Sequence, residues 1–305
     1  MATQELAHAA TETAGKFNAG EVIIEHVSNG QEIIHLPTIL GIDFSVTKHV
    51  LMLWLVAATV ALVVIFFVRR YLKQDRPIPT GFMNVLELVV EFVRDTIVLP
   101  NVGKKWVLVW TPLILTFFVF IFSANFVGML PIFDVVGLLD RALLHTPHDS
   151  LLNRVIHGGT TATGNFNVTA ALATITFIAI IVAGTRAHGF VKHWMNLVPH
   201  GLNPVIYLLL IPIEVLGMFV RPFALTMRLA ANMTGGHIAL LAILSFVFIL
   251  AEQFGGATGF GAGIVLSVPL AVFVSVIELI VVLVQAYVFT LLSAVFIGMA
   301  IHAHH

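Results

Sequence analysis

Five ionisable side chains lie where lipid would least tolerate them. Glu214, Arg221, Arg228, His237 and Glu278 all fall in the last two apolar stretches of the chain, residues 202–254 and 264–301. An ionised group deep in a span costs several kcal/mol on insertion scales, so such residues face a protein interior or a water path. Glu214 and Arg221 are seven residues apart, share a helical face and suit a structural ion pair. Arg228 has no acid near it in sequence, and its guanidinium keeps its proton even when buried. At 100° per residue Arg228 and Asn232 share a face, with Arg221 close to it, whereas His237 falls about 180° round and roughly 13 Å further along. Glu278 and Gln285 share a face of the last stretch, one suited to pack antiparallel against the Arg228 stretch. A permanent cation flanked by groups that pass protons is what a proton pathway needs if it must not short-circuit.

The composition says what must position these groups. The chain has 305 residues, 59% of them hydrophobic and only 10% charged, with a mean hydropathy of +1.01. A soluble domain is nearer 45–50% apolar and about 25% charged. A water-soluble enzyme is excluded, and lipid is the solvent for most of the chain. The net charge of −1 gives no footprint for nucleic acid. With no cysteine, disulfides, iron–sulfur clusters and thiolate zinc sites are excluded, and the 14 histidines show no metal-ligand spacing. No metal or cofactor is expected, and no G-x-x-x-x-G-K-[ST] run binds a nucleotide.

Hydropathy divides the chain into an extramembrane segment, residues 1–49, and a membrane domain, residues 50–305. The first span is Val50 to Val68, closed by Arg69 and Arg70. In residues 81–99 the charges Glu87, Glu91, Arg94 and Asp95 gather on one face, which predicts an interfacial amphipathic helix. Further spans are expected at 107–133 and 168–183, and the last at 264–301 after a Gly-rich break over 255–263. The 53 residues of 202–254 would measure roughly 80 Å as one helix, against a hydrocarbon core of about 30 Å. Composition therefore favours two spans hinged at Thr234-Gly235-Gly236, with one strongly tilted helix as the other option. Basic residues cluster after the first span (Arg69, Arg70, Lys73, Arg76, Lys104, Lys105) and after the third (Arg186, Lys192), while residues 1–49 are acidic. The positive-inside rule then puts the N-terminus outside and, with five spans, the C-terminus inside.

The run Arg228-Leu-Ala-Ala-Asn232-Met-Thr-Gly-Gly-His237 resembles the signature of subunit a of rotary, proton-translocating ATP synthases. Asn125-Phe-Val-Gly-Met-Leu-Pro131, Asn167-Val-Thr169, and Glu278 with Gln285 extend the likeness across roughly residues 40–301. The resemblance implies an all-α integral membrane protein of about five transmembrane helices, with a long tilted helix hairpin and the interfacial helix. It also implies a stator beside a rotating ring of c subunits, held by peripheral-stalk b-type subunits in a bacterial inner membrane rather than a mitochondrial one. Arg228 would face the ring carboxylates between two aqueous half-channels, with Asn232 beside it on the proton path. Glu214 would lie on the inner path, and Asn125, His237, Glu278 and Gln285 on the outer one. His237 and Glu278 are exchanged relative to many bacterial members, and Gly128 and Asn165 stand where carboxylates are often found, so the outer path has fewer acids.

Two other classes compete. A secondary transporter would carry its site at broken helices of repeated halves, and no internal repeat is found. A purely structural subunit would make Arg228 and Glu278 a buried pair, rescued by a compensating charge exchange. The topology is testable because the chain has no cysteine. In His145→Cys, an impermeant thiol reagent should label the protein only from outside the cell; labelling from the cytoplasmic side alone would invert the orientation.

Overall fold

The computed structural model describes residue 20 and residues 32–34, 45–73, 79–129, 162–195 and 204–302. Among these, five helices are long and apolar enough to cross a membrane, which makes this an all-α, multi-pass membrane protein. A short antiparallel ribbon precedes the first of them: β1 (Glu32–Ile34) pairs with β2 (Val46–Thr47), setting Glu32 opposite Thr47.

Helix α1 (Lys48–Leu72) ends on Arg69 and Arg70, whose charges suit a helix C-terminus. Among its described side chains only His49, Met52 and Val56 are buried. Their spacing of three and four residues marks one inward stripe, confined to the first two turns. There α1 packs on β2, on a 3-10 turn (Ala162–Gly164) and on α4 (Val107–Met129).

Residues 82–102 are helical, and the segment enters the core only from Val93 onward, while the apolar side chains Phe82, Val85 and Leu88 of its first part are exposed. Helix α2 (Phe82–Glu91) runs into a π-helical segment (Phe92–Val98) and α3 (Leu99–Val102). Glu87, Glu91 and Asp95 are exposed, while Val93, Ile97, Val98 and Val102 are fully buried. Arg94 and Asp95 pair at 2.7 Å, an exposed contact that holds Asp95 below and Arg94 above its ordinary pKa. Such surface pairs add little stability.

Helix α4 is described to Met129, so residues 130–133 of the expected second span lie outside the described residues. Helix α5 (Phe166–His188) starts where the Asn165 side chain accepts a hydrogen bond from the Asn167 amide, an N-cap. Gly189 ends it, and α6 (Phe190–Met195) turns back so that the His193 ring rests on Gly184. Burial first, and the charge of His188 second, push the His193 pKa down, which favours the neutral ring.

Helix α7 is continuous from Pro204 to Phe254, so the hinge that composition favoured at Thr234-Gly235-Gly236 does not exist. A helical glycine costs only about 1 kcal/mol relative to alanine. Breaking the ladder in hydrocarbon would strand backbone groups at several kcal/mol each. The expected Gly-rich break also shrinks to one residue: Gly255 has φ 79°, and α8 runs from Gly256 to Ile301.

The chain forms two compact units, and α7 and α8 each contribute to both. In the unit containing Thr234–Leu279, the two helices approach at glycines. A Cβ on Gly263 would lie 2.7 Å from Val247 Cα, and one on Gly259 would overlap the Leu250 carbonyl. Small residues at four-residue spacing are a common means of close helix packing in lipid. The other unit, Gln31–Met233 with Ile280–His305, holds the core, in which Ile114, Phe117 and Ile121 of α4 meet Leu225 and Leu229 of α7 and Ala286, Phe289 and Ile297 of α8. Gly298 seats α8 directly on the Asn101 carbonyl. Gly298→Leu should therefore destabilise the detergent-purified protein by about 2 kcal/mol or more. Gly261→Ala, where a Cβ meets open space, should leave its melting temperature unchanged or raise it slightly.

Candidate functional site

Arg228 is aimed by the packing of its neighbours. Leu225 and Leu229, four residues apart, are buried in the core against α8, which leaves Arg228 exposed on the flank of α7. It makes no ion pair or hydrogen bond within the described residues. A guanidinium on an apolar helix without an acid beside it among the described residues needs an anion from elsewhere.

One turn along, the Asn232 amide donates from Nδ2 to Gln285 Oε1 at 3.0 Å, and Gln285 is 4% exposed. This neutral bond ties α7 to α8 beside Arg228. Closer to the start of α7, Glu214 and Arg221 approach at 3.4 Å, and the Arg221 guanidinium lies 5.6 Å from the centre of the Phe296 ring. Arg221 is thus held by a carboxylate and an aromatic face, whereas Arg228 is not.

Asn125 lies apart from these groups, in a polar cluster at the far end of α4. Thr163 Oγ1 donates to Asn125 Oδ1, and both residues are fully buried. Asn165 and Thr169 are buried beside them at the start of α5. The Asn125 Nδ2 is buried with no partner among the described residues. Deeper along α5, the Thr176 and Ser293 hydroxyls pair at 3.3 Å between α5 and α8, both fully buried.

In the other unit, Glu278 of α8 reaches the α7 backbone at Gly236, where a Cβ would stand 2.7 Å from Glu278 Oε1. His237 is the next residue of α7. The structure therefore joins Glu214 to Arg221, joins Asn232 to Gln285, and seats Glu278 beside His237's neighbour. Sequence reasoning missed Thr163, which sits in a polar loop without periodicity, and the Thr176 and Ser293 pair. It read Gly236 as a hinge, although a glycine within a helix can equally mark a close approach.

The family model for the ATP synthase A chain matches residues 50–298. The chain is 36% identical to ATP synthase subunit a of Pelodictyon phaeoclathratiforme over 94% of its length and 77% of that protein's. It is 37% identical to ATP synthase subunit a of Myxococcus xanthus over 95% and 83%, and 36% to ATP synthase subunit a 2 of Chlorobium luteolum over 97% and 80%. The chain belongs to the ATP synthase subunit a family. It is therefore a proton-translocating stator subunit of the membrane sector.

The seat of Glu278 can be tested for a part in transport. Gly236→Ala puts a methyl 2.7 Å from Glu278 Oε1, so the carboxyl must shift, and if Glu278 passes protons ATP-driven pumping should fall several-fold, because proton transfer needs hydrogen-bond reach. Gly235→Ala, where a Cβ meets open space, is the control and should pump normally. Equal activity of the two variants would show that the close approach has no part in transport.

Proposed function

We propose that Arg228 separates two offset aqueous half-channels through which protons reach and leave the carboxylates of a rotating c ring. The supporting observation is the exposed guanidinium with no anion in its own chain among the described residues. A ring carboxylate arriving opposite Arg228 is favoured as the anion and gives up its proton to the inner path, which includes Glu214. Before it moves into lipid it must be neutralised, because a bare charge there is too costly. The outer path, with Asn125, His237, Glu278 and Gln285, delivers that proton, and Asn232 holds Gln285 beside the cation. The membrane potential biases each step by about 2.3 kcal/mol per charge per 100 mV.

In this reading the chain makes and breaks no covalent bond other than those to transferred protons. Nucleotide chemistry belongs to other subunits, and b-type peripheral-stalk subunits hold this one still against the ring. The membrane domain comprises residues 50–305 and the extramembrane segment residues 1–49. The membrane is a bacterial inner membrane, with the N-terminus outside and the C-terminus in the cytoplasm.

The test uses vesicles carrying the assembled complex. Arg228→Lys should abolish ATP-driven pumping without loss of assembly, since an ammonium loses its proton far more readily on burial than a guanidinium does. Arg228→Ala should add a passive proton leak. Arg221→Gln should retain substantial coupling, because Arg221 already has Glu214 and Phe296 as partners. Normal pumping by Arg228→Lys, or a stronger defect at Arg221 than at Arg228, would overturn the reading.

A further inference from the structure

The polar cluster at the far end of α4 has a feature that its amides and hydroxyls do not explain. Asn125 and Thr163 hydrogen-bond to one another, yet Asn125 Nδ2 is buried without a partner among the described residues. Amides and hydroxyls can pass a proton along a hydrogen-bonded chain but do not hold one at ordinary pH. Among the described residues no acid stands at the end of α4, in the 3-10 turn or at the start of α5, and Asn165 is committed to capping α5.

His49 supplies such a group. It is 6% exposed and leads the inward stripe His49, Met52 and Val56 of α1. Helix α1, buried among its described side chains only at His49, Met52 and Val56, packs on the 3-10 turn that carries Thr163 and on α4, which carries Asn125. Among the described residues, the nearby parts of α4, of the 3-10 turn and of α5 carry no titratable side chain. The charged residues nearest in sequence are Lys48 and Asp43, the latter outside the described residues, and Glu32 is paired with Thr47 across the ribbon. A buried imidazole beside a polar cluster at a helix start also fits a satisfied core histidine, so the test must separate the two roles.

Resting on the function proposed above, we propose that His49 is the proton-holding residue at the outer mouth of the path, exchanging protons with the Thr163 and Asn125 cluster. In each passage one imidazole N–H bond breaks as the proton moves inward, and one re-forms with a proton from outside water. Thr163 is the positioning residue that orients the Asn125 amide.

The experiment measures proton-driven ATP synthesis by the whole complex in vesicles, for His49→Gln, His49→Glu and Thr163→Val, alongside the Arg228 variants. His49→Gln keeps a hydrogen-bonding side chain but no proton store, and should lower synthesis about tenfold or more. His49→Glu restores a proton-holding group and should recover most of that loss, with the dependence of rate on outer pH shifted to lower pH, as a carboxyl titrates below an imidazole. Thr163→Val should lower the rate without shifting that pH dependence. A structural role for His49 predicts the reverse order, since Gln is the milder substitution in a core. Synthesis by Gln equal to or better than Glu therefore overturns this proposal, with the assembled yield of each variant measured in parallel. If Arg228→Lys pumps normally, the underlying function fails and this proposal fails with it. If Arg228 behaves as proposed while His49→Gln makes ATP at the parental rate, only the assignment of His49 is lost.

Discussion

A single uncompensated charge sets the terms for the rest of this protein. A guanidinium keeps its proton in any environment the chain can offer, so Arg228 cannot escape the cost of lipid by neutralising. The chain gives it no acid among the described residues, and the inward packing of Leu225 and Leu229 keeps it on the flank of α7. Two consequences follow physically. Helix α7 must be anchored firmly around it, which the core leucines do on the inward side and the Asn232 to Gln285 bond does one turn along. In the function proposed above, the anion that meets Arg228 comes from another chain, and an anion that is mobile can arrive, be stabilised and leave. The same residue built into an internal ion pair, as Arg221 is with Glu214, would have no such capacity.

The sequence made the spans and the chemistry of α7 legible because both depend on local pattern. Apolar runs closed by arginines marked α1, and the four-residue spacing of charges marked the exposed face of α2 and its π-helical extension. Arg228, Asn232, Glu278 and Gln285 were visible as polar groups in apolar surroundings. The lengths of α7 and α8 were not visible from composition, since Gly235-Gly236 and the glycines after Gly255 read as breakers. In water such runs do loosen a helix. In lipid the backbone has no other hydrogen-bond partner, so the ladder holds through Gly235-Gly236, and glycines such as Gly236, Gly259 and Gly263 become places where another chain segment comes close. The family resemblance, which implied one long helix, carried information about solvent that propensity does not.

The same distinction explains what was missed at the site. Thr163 lies in a loop, and Thr176 and Ser293 are separated by 117 residues in sequence. No spacing rule connects them; only the packing of α5 against α8 does. Gly236 failed for a different reason. Its function lies in the absence of a side chain, and sequence shows that absence without showing which group, here the Glu278 carboxyl, takes the space.

The buried polar groups are mostly neutral, and this has a physical basis. Each extra fixed charge in a low-dielectric region would need its own counter-ion or would distort the field around Arg228. Asn125 with Thr163, Thr176 with Ser293 and Asn232 with Gln285 pair without net charge, and such hydrogen bonds can be remade in either direction. Neutral groups alone, however, would make a path that orients water and stores nothing. Conduction that waits on a rotating partner needs sites where a proton can rest between steps, and these are better few and spaced than many and adjacent, because neighbouring charged stores would repel and shift one another's pKa. Under the functions proposed above, Glu278 is such a site in the unit containing Gly236, and the buried His49 of α1, which packs on α4, is another in the core unit.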